Sequence, residues 1–358
     1  MFTKNELFDM IVIEIREGKF SEKERFHMRN KKAFSIKDVA TRAGVSTATV
    51  SRVMNQKGGY SKETEQRVLN IIKDGSYKLS EKIREKIVGV LIQDITNEWF
   101  ASVAAELEEQ LYKKGYATCI YTTSESIQKT EWYFEECMRR RFAGVIIVSP
   151  TQIIAQKAKD ANIPIIFIDR TPVRKEGIVS VEFDHYLGGY MATEYLIRKG
   201  CNNIMFLGRE EHNPAVGARL HGYLDAIEDY HLPQSEKLII TLNDNYNLYD
   251  TAYHLTYYLL KKSLFFDGIF CTNDIRAFGA LQALQQNNIK VPEEVKVIGY
   301  DDISLAKQCY PALTTIRQNT EELAVNTVEL LMKLLMKPDT VNNRNIILPV
   351  SLVERGTA

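Results

Sequence analysis

From residue 87 onward the chain alternates short apolar runs with longer amphipathic stretches, and this alternation constrains the fold more than any other feature. Runs that are apolar throughout indicate parallel strands covered on both faces by amphipathic helices. The predicted strands are Ile87–Ile92, Ala117–Tyr121, Gly144–Val148, Ile165–Ile168, Ile204–Leu207, Leu238–Thr241, Gly268–Cys271 and Val295–Gly299. The predicted helices include Phe100–Lys114, Thr130–Arg141, His185–Lys199, Gly217–Tyr230 and Tyr249–Lys262. These strands are too many for one compact sheet, so we expect an α/β body of two Rossmann-like lobes.

Charge is divided unevenly along the 358 residues, although the formal net charge is zero. Residues 1–86 hold 19 Lys and Arg against 12 Asp and Glu, whereas the remainder holds 27 against 34. A basic end joined to an acidic body predicts one domain that meets phosphate groups and another that does not. The overall composition, 45% hydrophobic and 26% charged, fits two or three globular domains.

The cysteines and the amino terminus bear on the cellular compartment. The five cysteines are scattered and show no CxxC spacing, so neither a disulfide framework nor a metal site is expected. Acidic residues interrupt the apolar run within residues 1–20, so no signal peptide or membrane span is predicted there. We therefore expect a cytoplasmic protein that does not contact membranes.

A second pattern lies in Phe34–Asn55, which has the sequence FSIKDVATRAGVSTATVSRVMN. Ser35 and Ser46 are each placed to cap a short helix, and Gly44 can take the positive φ of the turn between them. Ser61 is placed to cap a third helix. Two short helices joined through glycine, the second lined with small hydroxyls and one arginine, predict a small all-α helix-turn-helix head. The predicted partner is double-stranded DNA.

The second of these helices supplies the candidate base contacts. Thr47 and Ala48 lie at its start, where a recognition helix meets base edges, and Arg52 has the reach for paired bonds to guanine. The remaining candidates are assigned to phosphate oxygens, namely Ser35, Ser46, Thr49, Ser51, Asn55, Ser61 and Thr64. The three capping serines could equally be purely structural. One head touches few bases, so we expect a homodimer on a palindromic operator.

The same residues resemble a known family. Ile36–Ala40, Gly44–Val53 and Asn55 are similar, without a gap, to the lac repressor and galactose repressor family of bacterial transcription regulators. The likeness continues in order through Val181–Asp184, Gly188-Gly189, Arg219–Tyr223, Thr272–Asp274, Gly299–Asp302 and Pro311–Gln318. It implies a periplasmic-binding-protein-like body in which three segments cross between the lobes.

This resemblance sets the expected domain boundaries. The helix-turn-helix head is assigned to 33–78, lobe 1 to 87–183 plus 316–339, and lobe 2 to 184–315 plus 340–358. The linker, 79–86, is shorter than the family's usual one, which places hinge-driven bending of DNA in doubt. Residues 1–32 are an extension that most members lack, with helical spacing of Leu7, Met10, Ile11 and Ile15.

Candidate effector contacts follow from the rule that ligands bind beyond the carboxyl ends of parallel strands. By resemblance, Trp99 and Phe100 match an aromatic wall, Arg219 and Asp274 match paired anchors, and Asp169 matches a first-lobe contact. The full set expected at the effector is Trp99, Phe100, Asp169, Arg170, Asn213, Arg219 and Asp274. Asp274 could instead cap a helix, and Asp169 could pair with Arg170. Asp301 and Asp302 are expected to be structural and are left out of the set.

Such groups suit a polyhydroxylated ring, so a sugar or sugar phosphate is the expected effector, with a nucleobase as the alternative. The predicted function is an allosteric transcription regulator, acting as a repressor. A sugar-binding protein without a DNA role is a rival that the basic head disfavours. An enzyme is a further rival, but the sequence shows no GxGxxG, phosphate-binding loop, nucleophile elbow or clustered histidines. No catalytic residue, cofactor or metal is expected.

Overall fold

A computed structural model describes residues 36–54, 58–74, 85–148, 154, 157, 163–169, 178–209, 214–233, 236–242, 247–336 and 345–358. The chain divides into two units, Met1–Arg84 and Glu85–Ala358. We call the first unit the head and the second the body, and each is described by itself.

The head contains three helices, α1 (Ile36–Ala43), α2 (Thr47–Met54) and α3 (Lys62–Asp74). They enclose a small core formed by Val39, Ala40, Ala43, Val50, Val53 and Val68. Gly44 has a φ of 65° in the turn between α1 and α2, as its place in the sequence predicts. The helix-turn-helix of the head is therefore confirmed for the described residues.

The first lobe of the body is built on a six-stranded parallel sheet in the order β11-β5-β4-β3-β1-β2. Its strands are β1 (Glu85–Ile92), β2 (Ala117–Thr122), β3 (Phe142–Val148), β4 (Ile165–Ile168), β5 (Ser180–Phe183) and β11 (Asn345–Leu348). The helices of this lobe are α4 (Glu98–Lys113), α5 (Ile127–Arg139) and α11 (Thr320–Met336). Because β3 and β4 are buried along their whole length, their residues are apolar throughout. Strand β5 is buried as well, although it carries Ser180 and Glu182.

The second lobe is built on a sheet in the order β12-β10-β9-β8-β6-β7, parallel except for β12. Its strands are β6 (Ile204–Arg209), β7 (Ile239–Leu242), β8 (Gly268–Cys271), β9 (Lys296–Asp301), β10 (Thr314–Arg317) and β12 (Ser351–Val353). Its helices are α6 (His185–Arg198), α7 (Pro214–Asp229), α8 (Leu248–Lys261), α9 (Asp274–Gln286) and the short α10 (Leu305–Gln308).

The chain passes between the lobes in three described places, after β5, after β10 and after β11. The predicted boundaries need two corrections. Strand β11 pairs with β5 in the first lobe, although 340–358 was assigned to the second, and β10 keeps residues 316 and 317 in the second lobe. The cause is pairing between residues far apart in the sequence, which local patterns do not reveal. Strand β1 also begins at Glu85, inside the predicted linker.

Several predictions fall outside the described residues, among them the extension 1–32, the hinge question in the linker 79–86, of which only 85 and 86 are described, and the cap at Ser35. The five cysteines are free thiols. Within the part of the chain that the structure describes, no helix combines the length and apolarity that crossing a bilayer requires.

Candidate functional site

The exposed surface of the head carries the predicted base-reading residues. Thr47, Ala48 and Arg52 are exposed on α2, whereas Thr49 and Ser51 are half-buried. Arg52 reaches towards the loop before α3, since its Nη1 lies 3.7 Å from where a Cβ on Gly59 would be. The first turn of α2 is thus open to an approaching duplex, with a guanidinium one turn further along.

Two serines cap helices of the head as the sequence predicts. The Ser46 hydroxyl accepts a bond of 3.1 Å from the backbone N–H of Thr49, and the Ser61 hydroxyl accepts one of 3.1 Å from that of Thr64. Each capping hydroxyl also lies 2.9 Å from the hydroxyl of the threonine it binds. These contacts establish the capping role of both serines. Asn55 lies outside the described residues.

A cavity of about 510 Å³ lies between the two lobes of the body. Its walls come from the segments that follow strands β1, β2, β4, β7, β8 and β10, together with the last residues of β6 and β9 and the start of α7. Parallel strands of both sheets thus direct their carboxyl ends at one space, which is where open α/β folds bind ligands.

The first lobe contributes an aromatic pair and a carboxylate to this cavity. The rings of Trp99 and Phe100 meet edge to face with centroids 5.1 Å apart, and Asn97 fixes them by capping α4 through the Trp99 N–H. Asp169 follows β4 with a φ of 68°, and its carboxylate lies 3.1 Å from Nε2 of His185. All three predicted side chains therefore line the cavity.

The second lobe contributes Arg219, which is buried and held by three neighbours. Its Nη1 donates to the carbonyl of Thr272 at 2.5 Å, and its Nη2 lies 3.1 Å from Nδ1 of His185. The guanidinium carbon lies 3.6 Å above the ring of Tyr300, a cation–π arrangement. Burial raises the pKa of Tyr300, so its hydroxyl stays protonated.

Several buried polar atoms in the cavity walls have no hydrogen-bond partner among the described residues. They are Oε1 of Gln93, Nε1 of Trp99, Nε of Arg219, Oγ1 of Thr272 and Oε1 of Gln318. An unpaired buried polar atom costs about 1–3 kcal/mol, and such atoms are rare in native proteins. Because donors and acceptors are both present, the walls match a ligand that donates and accepts hydrogen bonds.

Asp274 stands apart from the expected contacts. It is fully buried outside the cavity lining, where its carboxylate accepts a bond of 2.6 Å from the Thr315 hydroxyl and one of 2.9 Å from the Ile303 N–H. It does not cap α9 either, since Asn273 performs that role through the Arg276 N–H. Asn273, its neighbour in the chain, and Asp301, the last residue of β9, line the cavity instead.

Asp301 and Asp302 were both expected to be structural, but their surroundings differ. Asp302 is buried and accepts from Arg317 at 2.6 Å and from Arg355 at 2.5 Å, so its structural role is clear. Asp301 lines the cavity, and its Oδ1 accepts a bond of 2.7 Å from Gln318. Burial raises the pKa of Asp301 well above its ordinary value. Arg170 and Asn213 lie outside the described residues.

An ion pair between the lobes was missed by sequence reasoning. Glu125 follows β2, Arg209 ends β6, and their side chains form two parallel bonds of 2.6 and 2.8 Å. Both residues would have been found by the rule that ligands bind beyond the carboxyl ends of parallel strands, had it been applied to β2 and β6. His185, by contrast, had no distinguishing sequence signal, since the histidines of the chain are dispersed.

The comparisons with known proteins agree with both units. Residues 35–80 match the family described as bacterial regulatory proteins, lacI family, and residues 193–358 match the periplasmic binding protein-like domain. The ribose operon repressor of Halalkalibacterium halodurans is 31% identical over 90% of this chain and 96% of its own length. The HTH-type transcriptional repressor PurR of Histophilus somni is 30% identical over 84% of this chain and 91% of its own. A LacI family transcriptional regulator from Enterococcus faecium, solved with bound ribose, has a TM-score of 0.67 at 29% identity, covering 76% of this chain and 98% of that one.

A helix-turn-helix head together with a two-lobed, periplasmic-binding-protein-like body defines a transcription regulator that binds DNA and carries a ligand-binding domain. The length of the matches and their sequence identity also define the family. The chain belongs to the LacI family of bacterial regulatory proteins.

Proposed function

We propose that the chain is a repressor that binds a palindromic operator. Its affinity for the operator is controlled by a small polyhydroxylated effector, a sugar, bound between the lobes. The observation that carries the effector class is the set of unpaired buried donors and acceptors in the cavity walls, beside the carboxyl groups of Asp169 and Asp301. A sugar hydroxyl both donates and accepts, so one ring of hydroxyls can satisfy such a mixed set.

Acidic side chains in the cavity favour a neutral sugar over a sugar phosphate. Asp94, Asp169 and Asp301 line the cavity, and the Arg209 guanidinium is already engaged by Glu125. A phosphate would bring about two negative charges close to these carboxyl groups. The proposed contacts are Asp169, Arg219, Asn273 and Asp301, with Trp99 and Phe100 against the apolar face of the ring.

At the DNA, we assign base contacts to Thr47, Ala48 and Arg52, and phosphate contacts to the hydroxyl side chains around them. The support is their exposure on α2 and the exposed first turn of that helix. Two heads related by a dyad provide the discrimination that one lacks, so the active form is proposed to be a homodimer. Since the relatives named above are transcriptional repressors, we propose no enzymatic role, and a location in the cytoplasm beside the chromosome.

A selection experiment tests both halves of this proposal. DNA fragments bound by the full chain are sequenced, and a palindrome with a fixed half-site spacing is expected. A thermal-shift screen with D-ribose, other pentoses, hexoses, their phosphates and purine bases then identifies the effector class. Stabilisation by an unmodified sugar supports the proposal. Stabilisation by a purine alone would show that the aromatic pair serves a nucleobase instead.

A further inference from the structure

His185 begins α6, directly after the first segment that passes from one lobe to the other. Its imidazole is buried and contacts a charged side chain from each lobe. Nε2 lies 3.1 Å from Oδ1 of Asp169 in the first lobe, and Nδ1 lies 3.1 Å from Nη2 of Arg219 in the second. The ring therefore stands between the two charged groups that the cavity presents to its ligand.

The guanidinium of Arg219 decides which ring nitrogen carries the proton. A guanidinium can only donate, so Nδ1 must accept, and the hydroxyl of Tyr300 lies 3.3 Å from the same nitrogen. The proton of a neutral ring is then on Nε2, which donates it to Asp169. Burial, and after it the charge of Arg219, lowers the pKa of His185 and so favours the neutral ring.

The surroundings of Arg219 hold it against this ring. Tyr300 lies beneath the guanidinium, and Gly188 on α6 leaves room for the tyrosine, since a Cβ at that position would overlap the Tyr300 hydroxyl. The carbonyl of Thr272 accepts from Nη1. Both terminal nitrogens are thus engaged by the protein, while Nε has no partner among the described residues.

We propose that His185 is a positioning residue of the effector site, keeping Asp169 and Arg219 from pairing directly and holding each in place for the ligand. This inference rests on the proposed effector function of the cavity. Arginine and carboxylate groups that can approach each other pair through two parallel bonds. Such a pair would draw the two lobes' charged groups together and occupy the atoms that a ligand needs. A neutral imidazole between them satisfies both without neutralising either.

The state of the ring can be tested without any ligand. Nitrogen NMR of the full chain at neutral pH, with the His185 signals assigned by their loss in His185→Asn, reports which nitrogen is protonated. The expected result is a neutral ring with its proton on Nε2. A proton on Nδ1, or a doubly protonated ring, would overturn the proposed bridge.

Three variants test the positioning role, with D-ribose as the probe and calorimetry as the measurement. Asn places a carbonyl oxygen near the Nδ1 position and retains the contact with Arg219, whereas Gln places an N–H near the Nε2 position and retains that with Asp169. His185→Ala is expected to weaken D-ribose binding by about tenfold, or about 1.4 kcal/mol, and Asn and Gln are each expected to restore part of it. Equal losses in all three variants, or none in Ala, would contradict positioning. His221→Gln, an exposed change two residues from Arg219, is the matched control.

Double-mutant cycles separate positioning from simple packing. The energetic coupling between positions 185 and 169, measured with Asp169→Asn, is expected to persist when residue 185 is Gln and to vanish when it is Asn. Coupling that is the same in both backgrounds would overturn the assignment. If D-ribose alone among the sugars of the screen stabilises the wild-type chain, the effector class is known before the variants are measured. If it binds no sugar at all, the proposed function fails, and the NMR result alone decides the state of the ring.

Discussion

The head and the body present their chemistry in opposite ways. In the head, the proposed DNA contacts are exposed side chains on one helix, Thr47–Met54, whose first turn is open. In the body, the proposed effector contacts are buried or half-buried and come from strand ends and helices spread between residues 99 and 301. A site made of neighbouring residues can be found from spacing alone, whereas an assembled site depends on strand order and on which lobe each strand joins.

The largest effect is expected from Arg52→Ala in the head. Loss of a paired contact to guanine costs about 1–3 kcal/mol, and a dimer loses it at two half-sites, so operator affinity should fall by about 2–6 kcal/mol. Fluorescence anisotropy with the selected operator measures this. Lys62→Ala, an exposed lysine at the start of α3, is the control. It should weaken all DNA sequences alike and lower the salt slope by about 1.8, about 0.9 for each head of the dimer. If Arg52→Ala bound specific and random DNA with unchanged preference, α2 would not read bases.

In the body, Arg219→Lys keeps the charge and removes the planar fork that binds the Thr272 carbonyl and His185. Disturbing a buried, hydrogen-bonded charge costs about 2–4 kcal/mol, so calorimetry should show effector affinity reduced by that amount. Arg198→Lys, an exposed arginine paired with Glu194 in the same lobe, serves as the control. Full affinity in the Arg219 variant would remove the guanidinium from the site.

The body, unlike the exposed surface of the head, contains a buried carboxyl group, that of Asp274, so the folding stability of the chain should depend on pH. Burial raises the pKa of Asp274 from 3.8 to about 7, although Thr315 and Ile303 donate to it and oppose the shift. The folded chain therefore binds more protons than the unfolded chain between these values. The stability contributed by this carboxyl is present below pH 3.8 and is lost as the pH rises to about 7.

Asp274→Asn cannot ionise and so lacks this dependence. Relative to the variant, wild type should lose about 1.4 kcal/mol of unfolding free energy for each pH unit of the rise between 3.8 and about 7. Urea unfolding of both proteins across that range measures the difference. Parallel curves would show that burial does not raise the pKa of Asp274.

The smallest effect is expected at the ion pair that joins the lobes. Glu125 lies at a residue with φ of 56°, beside Ser124 at 52°, so a locally unfavourable backbone aims the carboxylate at Arg209. Glu125→Gln should weaken effector binding by about 1 kcal/mol, because the two lobes that enclose the cavity lose a partly buried ion pair between them.

Exchanging the two charges, Glu125→Arg with Arg209→Glu, should restore much of that affinity. Glu354→Gln, which breaks an exposed pair with Lys199 inside one lobe, is the matched control. A charge exchange that binds more weakly than either single variant would show that these residues touch the ligand rather than each other.

The same contrast explains what could be predicted from the sequence. The capping serines Ser46 and Ser61 and the turn at Gly44 depend on contacts three or four residues apart, and all three were found. The predicted strands of the body lie within two residues of the observed ends, because buried parallel strands are continuous apolar runs. Local rules therefore located eight of the twelve described strands, whereas the short strands β5, β10, β11 and β12 were not predicted.

Local rules did not predict which sheet strand β11 joins or which acidic side chains line the cavity. Strand β11 joins the first lobe through pairing with β5, about 165 positions earlier, as the bond between Ser180 and Asn345 shows. Asp301 was set aside although it ends a strand at the cavity, and Asp274 was chosen although the fold turns it towards Thr315. Both acids lie in similar local patterns, so only the fold distinguishes them.

Operator binding measured as a function of effector concentration tests the link between the two sites most directly. Using the selected operator and the sugar identified by thermal shift, wild type should change its operator affinity by about 5- to 150-fold, the range of ordinary allosteric coupling. Arg219→Lys should shift that response to higher sugar concentration. Operator isotherms that coincide at every sugar concentration, although the sugar is shown to bind, would contradict the account.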